Sequence, residues 1–247
     1  MEINMNAEQI EELKAAAEEG FARAQFNLAM CYHHGAGVEE DFAQALKWYI
    51  KSADQGNINA NYTLALMYYE GEEVPKDMAK AVAHFRNAAE KGHTRARHYL
   101  AECYTFGQGV EQDFAEAVKW YELAALRGPL ESMINLAICY SEGLGVERDF
   151  AEAIRWYREA AEKEHPAAQY NLGLCYLHGE GVEADAKEAI SWFLKACDKG
   201  LADAEYTMGQ LCQEGVGLPQ DEQMAREWYQ RAAQHGSEEA QKALDNQ

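Results

Sequence analysis

The chain has 247 residues, 48% of them hydrophobic and only 4 of them Pro, which is enough for a large buried core without a metal or disulfide staple. Its formal net charge is −20, from 42 acidic and 22 basic side chains. Such a chain is repelled by nucleic-acid phosphates and anionic bilayers, so neither a nucleic-acid nor a membrane partner is expected. The stretch from Met1 to Glu8 has no basic n-region and no apolar h-region, and no window approaches the ~20 apolar residues of a spanning helix. A cytoplasmic protein is therefore expected.

Residues 7–20 read as a capping helix. Leu13, Ala16 and Ala17 fall on positions that are apolar or small in the second half of the units that follow, but Glu12 stands where those units carry Trp. Six units of 36 residues come next, at 21–56, 57–92, 93–128, 129–164, 165–200 and 201–236. One glycine series holds the period at Gly20, Gly56, Gly92, Gly128, Gly200 and Gly236, and a second runs from Gly35 to Gly215. Asp41, Asp77, Asp113, Asp149, Asp185 and Asp221 keep the same register, as do Ala45 and its equivalents. Periods of this length signal stacked supersecondary units.

Each unit reads as two helices. In the first unit, Ala24, Leu28, Cys31 and Tyr32 recur at helical spacing, and Gly35 supplies the left-handed residue that ends the helix. Asp41 then caps a second helix. Gln44, and later Glu116, Glu152 and Glu188, stand three residues on, as a capping box requires. The second helix carries Ala45, Trp48, Tyr49 and Ala53 on one face, so the repeated Trp and Tyr/Phe read as core packing rather than a base-stacking platform. Residues 237–247 read as a closing cap, with Ala240 and Leu244 on core positions and Lys242 and Asp245 polar outside. The expectation is a whole, monomeric, all-α solenoid of about fourteen helices: a cap, six pairs and a cap.

The pattern Ala-Gln-x-x-Leu-Ala/Gly-x-x-Tyr, Gly-x-Gly-Val, Asp-x-x-x-Ala, Trp-Tyr-x-x-Ala-Ala-x-x-Gly resembles the Sel1-like repeat, a relative of tetratricopeptide repeats. Its fullest copy runs from Ala168-Gln169-Tyr170-Asn171-Leu172-Gly173 to Gly200. Departures are Glu73 for a turn glycine, His84 for Trp, Leu211-Cys212 for the Cys/Met-Tyr pair, and Glu164 for the closing Gly, where Pro166 is expected to end the helix instead. The resemblance implies an α-α superhelix whose first helices line the concave side, and an adaptor role in signalling or complex assembly.

Little chemistry is legible. There is no Cys-x-x-Cys, no His-Glu-x-x-His and no phosphate-binding loop, so no cofactor and no metal is expected. His33 and His34 sit where a helix C-terminus favours them. The six Cys read as buried free thiols. A cysteine-rich branch of the resembled family carries a bridging pair in each repeat, but Cys197 has no second Cys at the needed position. The family also suggests a β-lactam-binding or β-lactamase-like enzyme as an alternative. None of Ser52, Ser132, Ser141, Ser191 or Ser237 is followed by Lys three residues on, as that chemistry requires.

The expected function is non-catalytic: a scaffold holding a protein or peptide on its concave face. Residues off the core stripe of the first helices follow i, i+4, i+7, i+11 spacing. The candidate partner-binding residues are Arg23, Asn27 and His34, then Arg95, Tyr99 and Phe106, then Asn135, Asn171 and His178. Asn27, Asn135 and Asn171 form a ladder that can either clamp an extended peptide backbone or bond neighbouring repeats. Lys91, His93, Arg95, Arg97 and His98 make a basic island in an acidic chain, suited to an acidic peptide or to balancing local acid. The alternative is an acidic neutralising partner, immunity- or inhibitor-like, that holds a basic protein through its overall field.

Overall fold

The structure, a computed structural model, describes residues 6–245. Met1 to Met5, most of the stretch searched for a leader, and the last two residues of the closing cap lie outside the described residues. Among the described residues there are fourteen α-helices and no strand. They fall into two compact units that meet in sequence at Pro129 and Leu130.

The first unit holds α1 (Ala7–Glu18), α2 (Ala22–His34), α3 (Phe42–Asp54), α4 (Ile58–Glu70), α5 (Met78–Glu90), α6 (Thr94–Phe106) and α7 (Phe114–Ala125). Within it α2 packs on α3, α4 on α5 and α6 on α7, while α1, α3 and α5 each pack on the first helix of the next repeat. The second unit holds α8 (Leu130–Glu142), α9 (Phe150–Glu162), α10 (Pro166–His178), α11 (Ala186–Asp198), α12 (Ala202–Glu214), α13 (Glu222–Gln234) and α14 (Glu238–Asp245). Its pairs are α8 with α9, α10 with α11 and α12 with α13, and α14 covers α13.

The helix ends follow the sequence reading with two physical corrections, at the capping boxes and at Pro166. Each Asp from Asp41 to Asp221 caps its helix by accepting a first-turn N–H, such as Gln44 N at 2.9 Å and Glu116 N at 3.0 Å. The reciprocal half of the capping box is not made at those positions. The Asp N–H is taken by the carbonyl of the preceding helix, as in Asp41 N to Tyr32 O at 2.9 Å and Asp113 N to Tyr104 O at 3.0 Å. The freed acids pair along their own helix instead, Glu152 with Arg155 and Glu188 with the Trp192 indole N–H at 2.9 Å. A full capping box forms at α1, from Asn6 and Gln9.

Two junctions depart from the glycine rule. Glu164 is the one non-glycine described residue in the left-handed region, at φ 62°, so it does the work of the missing glycine itself. Pro166 does not end α9; it is the first residue of α10, where a missing N–H costs nothing. Elsewhere the residue after the glycine position donates its N–H five residues back, as Asn57 does to Ser52 O at 3.1 Å. Pro129 has no N–H to give, and Gly128 stays out of the left-handed region, its N–H bonding Ala124 O.

The core is built by the Tyr/Phe series rather than by Trp. Tyr49, Phe85, Tyr121, Phe193 and Tyr229 are nearly or wholly inaccessible, and Tyr157 is buried. Trp48 and Trp156 are buried at the margin, while Trp120, Trp192 and Trp228 are half-buried. Cations lie over four of these indoles: Lys51 on Trp48, Arg155 on Trp156, Lys195 on Trp192 and Arg231 on Trp228. His84, in the Trp slot of repeat two, has its pKa lowered by burial and lies 3.0 Å from Asn61 Oδ1. The small position of Ala24 is fully buried at its equivalents Ala60, Ala96, Ala168 and Ala204, although Ala24 itself is half-buried, and a second small position, held by Ala29, Ala65, Ala101 and Ala137, is just as closely packed. Glycine takes this second position opposite two rings: a Cβ on Gly173 would lie 2.5 Å from Phe193, and one on Gly209 would lie 2.5 Å from Tyr229.

Candidate functional site

In α2, Arg23, Asn27 and His34 are exposed on one face. Arg23, Phe26 and Asn27 line an open cleft of about 530 Å³ with Gly56, Asn57, Ile58 and Asn59 from the α3–α4 junction. The first two candidates are therefore brought together. His34 stands at the far end of the helix, stacked on His33 with ring centroids 4.5 Å apart.

In α6, Tyr99 is half-buried in an aromatic cluster, stacked on Phe85 at 5.1 Å, with Tyr69 at 5.5 Å and Tyr62 at 6.4 Å. Arg95 reaches the Tyr62 hydroxyl, and Tyr62 also stacks on His93 at 4.1 Å. Phe106 ends the helix with 65% of its surface exposed. The rest of the basic island is engaged in holding repeats together. Lys91 donates to Gly56 O at 2.7 Å, Arg97 to Ala89 O and Leu123 O, and His98 is buried beside Glu102. Burial, and then the Arg95 charge, lower the pKa of His93, whose Nδ1 accepts the Ala96 N–H at 3.1 Å as an N-cap. Arg95 is the island's exposed cation on the Tyr99 face.

In the second unit, Asn135 and Asn171 are half-buried, and Asn135 has an internal partner. His178 is exposed at the end of α10. The Asn ladder is therefore uneven: one member is committed internally, and the amide of Asn27 faces its open cleft.

Three features escape sequence reasoning. The first is a repeated polar connector. Gln25, Asn61, Arg97 and Gln169 share one register, and each donates to the carbonyl eight residues back, Ala17, Ala53, Ala89 and Ala161 respectively. The second is Glu205, a carboxylate on that register and fully buried. It cannot donate, so Arg231 donates to Cys197 O in its stead, while Arg231 Nε and His235 Nδ1 lie 2.5 and 2.7 Å from its oxygens. The third is His33, whose ring nitrogens lie 3.2 Å from Tyr49 Oη and 3.0 Å from Glu73 Oε1. A cleft of about 240 Å³ opens there, walled by Glu70, Glu72 and Glu73. The acid in place of a turn glycine at 73 is the signal that could have found it.

All six Cys are free and buried, and burial raises their pKa values, to about 11 for Cys103, Cys139 and Cys175 and about 12 for Cys197. Among the described residues no group of three or more His, Cys, Asp or Glu is placed to hold a metal, and no helix is long and apolar enough to cross a membrane.

Stacked helix pairs with capping helices at both ends define an all-α repeat solenoid. The chain belongs to the Sel1 repeat family: the repeat matches at residues 22–57, 58–93, 94–129, 130–165, 166–201 and 202–237. It is similar to c5321, a protective antigen of uropathogenic Escherichia coli strains, with 36% identity and a TM-score of 0.84. That match covers 98% of this chain and 51% of c5321, so the chain spans about half that protein's length. A Sel1 repeat protein from Oxalobacter formigenes matches with 29% identity and a TM-score of 0.80, over 93% of this chain and 99% of that one. The immunity protein Pa5087 from Pseudomonas aeruginosa shares the fold at 17% identity and a TM-score of 0.50, over 87% of this chain and 81% of its own. Comparison with curated proteins finds no match.

Proposed function

We propose that the chain is a non-catalytic, monomeric docking scaffold that holds a protein or peptide on the exposed face of its first helices. The carrying observation is in the first unit. Arg23 and Asn27 share an open cleft with the backbone turn at Gly56 and Asn57, and on α6 Arg95 stands beside the Tyr62–Tyr99 aromatic cluster. Guanidinium groups, an amide and half-exposed rings together can grip a peptide carboxylate and its side chains. In the second unit Asn171 and His178 extend the same register along α10. Six free buried thiols suit a reducing, cytoplasmic setting.

The test is quantitative affinity capture on immobilised wild type and on an Arg23→Glu/Asn27→Ala/Arg95→Glu variant. All three positions are exposed, so the variant keeps the fold. A partner retained by wild type and lost at least tenfold by the variant supports the reading. Capture that is unchanged overturns it.

A second reading rests on the net charge of −20: a basic partner held by the acidic field, in the manner that the name of the similarly folded immunity protein suggests. Raising salt from about 50 to 500 mM separates the two. Field-driven association slows steeply with ionic strength, whereas the groove contacts fade less.

A further inference from the structure

The connector register has a forward half as well as a backward one. Gln25 Oε1 accepts from Gln55 thirty residues on at 2.7 Å, and Glu205 Oε2 meets His235 at the same offset. The equivalent pair in repeat five is Gln169 with Lys199, and it is not made. Glu164, standing in for the junction glycine, takes Lys199 at 2.9 Å. Gln169 is 3% exposed and uses its N–H on Ala161 O, and its Oε1 is left buried without a partner. Gln169 lines a cleft of about 520 Å³ between the end of α9 and α11, with Trp192 on one wall and Glu162 and Asp198 among its acids.

One repeat later the chain supplies its own guanidinium at the equivalent position. Thirty-six residues on, Gln169 becomes Glu205, Trp192 becomes Trp228 and Lys195 becomes Arg231. Arg231 lays its guanidinium over Trp228, pairs with Glu205 and donates to Cys197 O. In repeat five Lys195 instead rests on the Trp192 face at 3.5 Å. An ammonium is a compact, strongly hydrated charge without the planar fork that lets Arg231 reach both groups.

We propose that the α9–α10–α11 cleft is a receptor site for an arginine side chain of a partner protein. The guanidinium occupies the place that Arg231 fills in repeat six. One arm donates to Gln169 Oε1, the plane stacks on Trp192 as Lys195 swings aside, and Glu162 and Asp198 supply the countercharge. This site is built from the buried Gln169 of α10 and from Trp192 and Lys195 of α11, none of them a residue of the proposed docking groove, so either can fail without the other.

The test uses the full chain, with the Trp192 indole and Gln169 side-chain amide followed by nuclear magnetic resonance during titration with N-acetyl-arginine-amide. The expected result is saturable shifts at those two groups, with a dissociation constant on the order of 1 mM for so small a probe. N-acetyl-lysine-amide should bind about tenfold more weakly. Lys195→Arg, at an exposed position, copies the repeat-six arrangement and should abolish the shifts. Gln169→Met, which borrows the residue at Met133, should weaken binding about tenfold. No saturation, equal response to the lysine probe, or shifts spread over the whole acidic surface would overturn the proposal. So would free arginine binding more than about tenfold tighter than the blocked form, because it would assign the site to the amino acid rather than to a partner's side chain.

Discussion

The buried carboxylate of Glu205 gives the sharpest test of how neighbouring repeats are joined. Arg231→Met removes the guanidinium while leaving a hydrophobic stem over Trp228. Breaking a buried ion pair costs about 3–5 kcal/mol. Two features of the structure pull that down: Arg231 and His235 are 41% and 42% exposed, and His235 remains beside Glu205 at 2.7 Å. About 2 kcal/mol is then expected from the carboxylate, and about 1 kcal/mol more from the abandoned Cys197 carbonyl. In a Glu205→Gln background the expectation changes. Gln can donate to Cys197 O as Gln169 does to Ala161 O at 3.2 Å, and no charge is stranded. Arg231→Met should then cost less than about 1 kcal/mol. Urea unfolding of the wild type, both single variants and the double variant gives the cycle directly, with a coupling of about 2 kcal/mol expected. An equal loss in the two backgrounds would refute the argument that Arg231 is there to answer the carboxylate.

Four further outcomes follow from the same packing. Gly173→Ala drives a methyl to 2.5 Å from the Phe193 ring, and should destabilise by about 1–2 kcal/mol in urea despite the better helix propensity of Ala. Asp113→Ala removes the cap on Glu116 N and should cost about 1 kcal/mol by the same assay. Glu164→Gly relieves the left-handed strain at φ 62° and should raise the melting temperature by about 2–4 °C. The thiols give a pH dependence. Burial lifts Cys103, Cys139 and Cys175 from 9.0 to about 11, so the unfolded chain ionises first. Their contribution is fully present below pH 9 and is lost as pH rises to about 11. The urea midpoint should fall over that window, and a thiol reagent at pH 8 should label none of the three in the folded protein.

The period, the Asp caps and the glycine ends were legible because each rests on local backbone chemistry that one residue type satisfies. The Tyr/Phe stripe was legible for the same reason. What was not legible depends on partners far away in sequence. The capping boxes looked complete from Asp41 and Gln44 alone, yet the Asp N–H belongs to Tyr32 O of the preceding helix. The basic island looked like one patch, yet Lys91 bonds a carbonyl of the α3–α4 junction and Arg97 one of α7. Helix geometry puts Arg23 and Asn27 on one face, but the wall opposite them comes from residues 56–59. Gln25 and Gln169 were legible only as members of the repeat pattern, because nothing local reveals a carbonyl eight residues back across a junction.

A strict repeat makes each departure from it readable as a change in connection. Donors at Gln25, Asn61, Arg97 and Gln169 reach back to the previous helix, and the acceptor at Glu205 forces a cation from the following helix to do that work. At Glu164 the change begins in the backbone: a carboxylate takes the glycine position, captures Lys199 and leaves Gln169 Oε1 open. Glu164→Gly should therefore do two things at once. It should relax the junction and release Lys199 to the orphaned oxygen, restoring the pairing that Gln55 makes with Gln25. The melting temperature and the affinity for the arginine probe should move in opposite directions, stability up and binding down by about tenfold. If stability rises while binding holds, Lys199 does not close the cleft, and the orphaned oxygen owes its isolation to something other than Glu164.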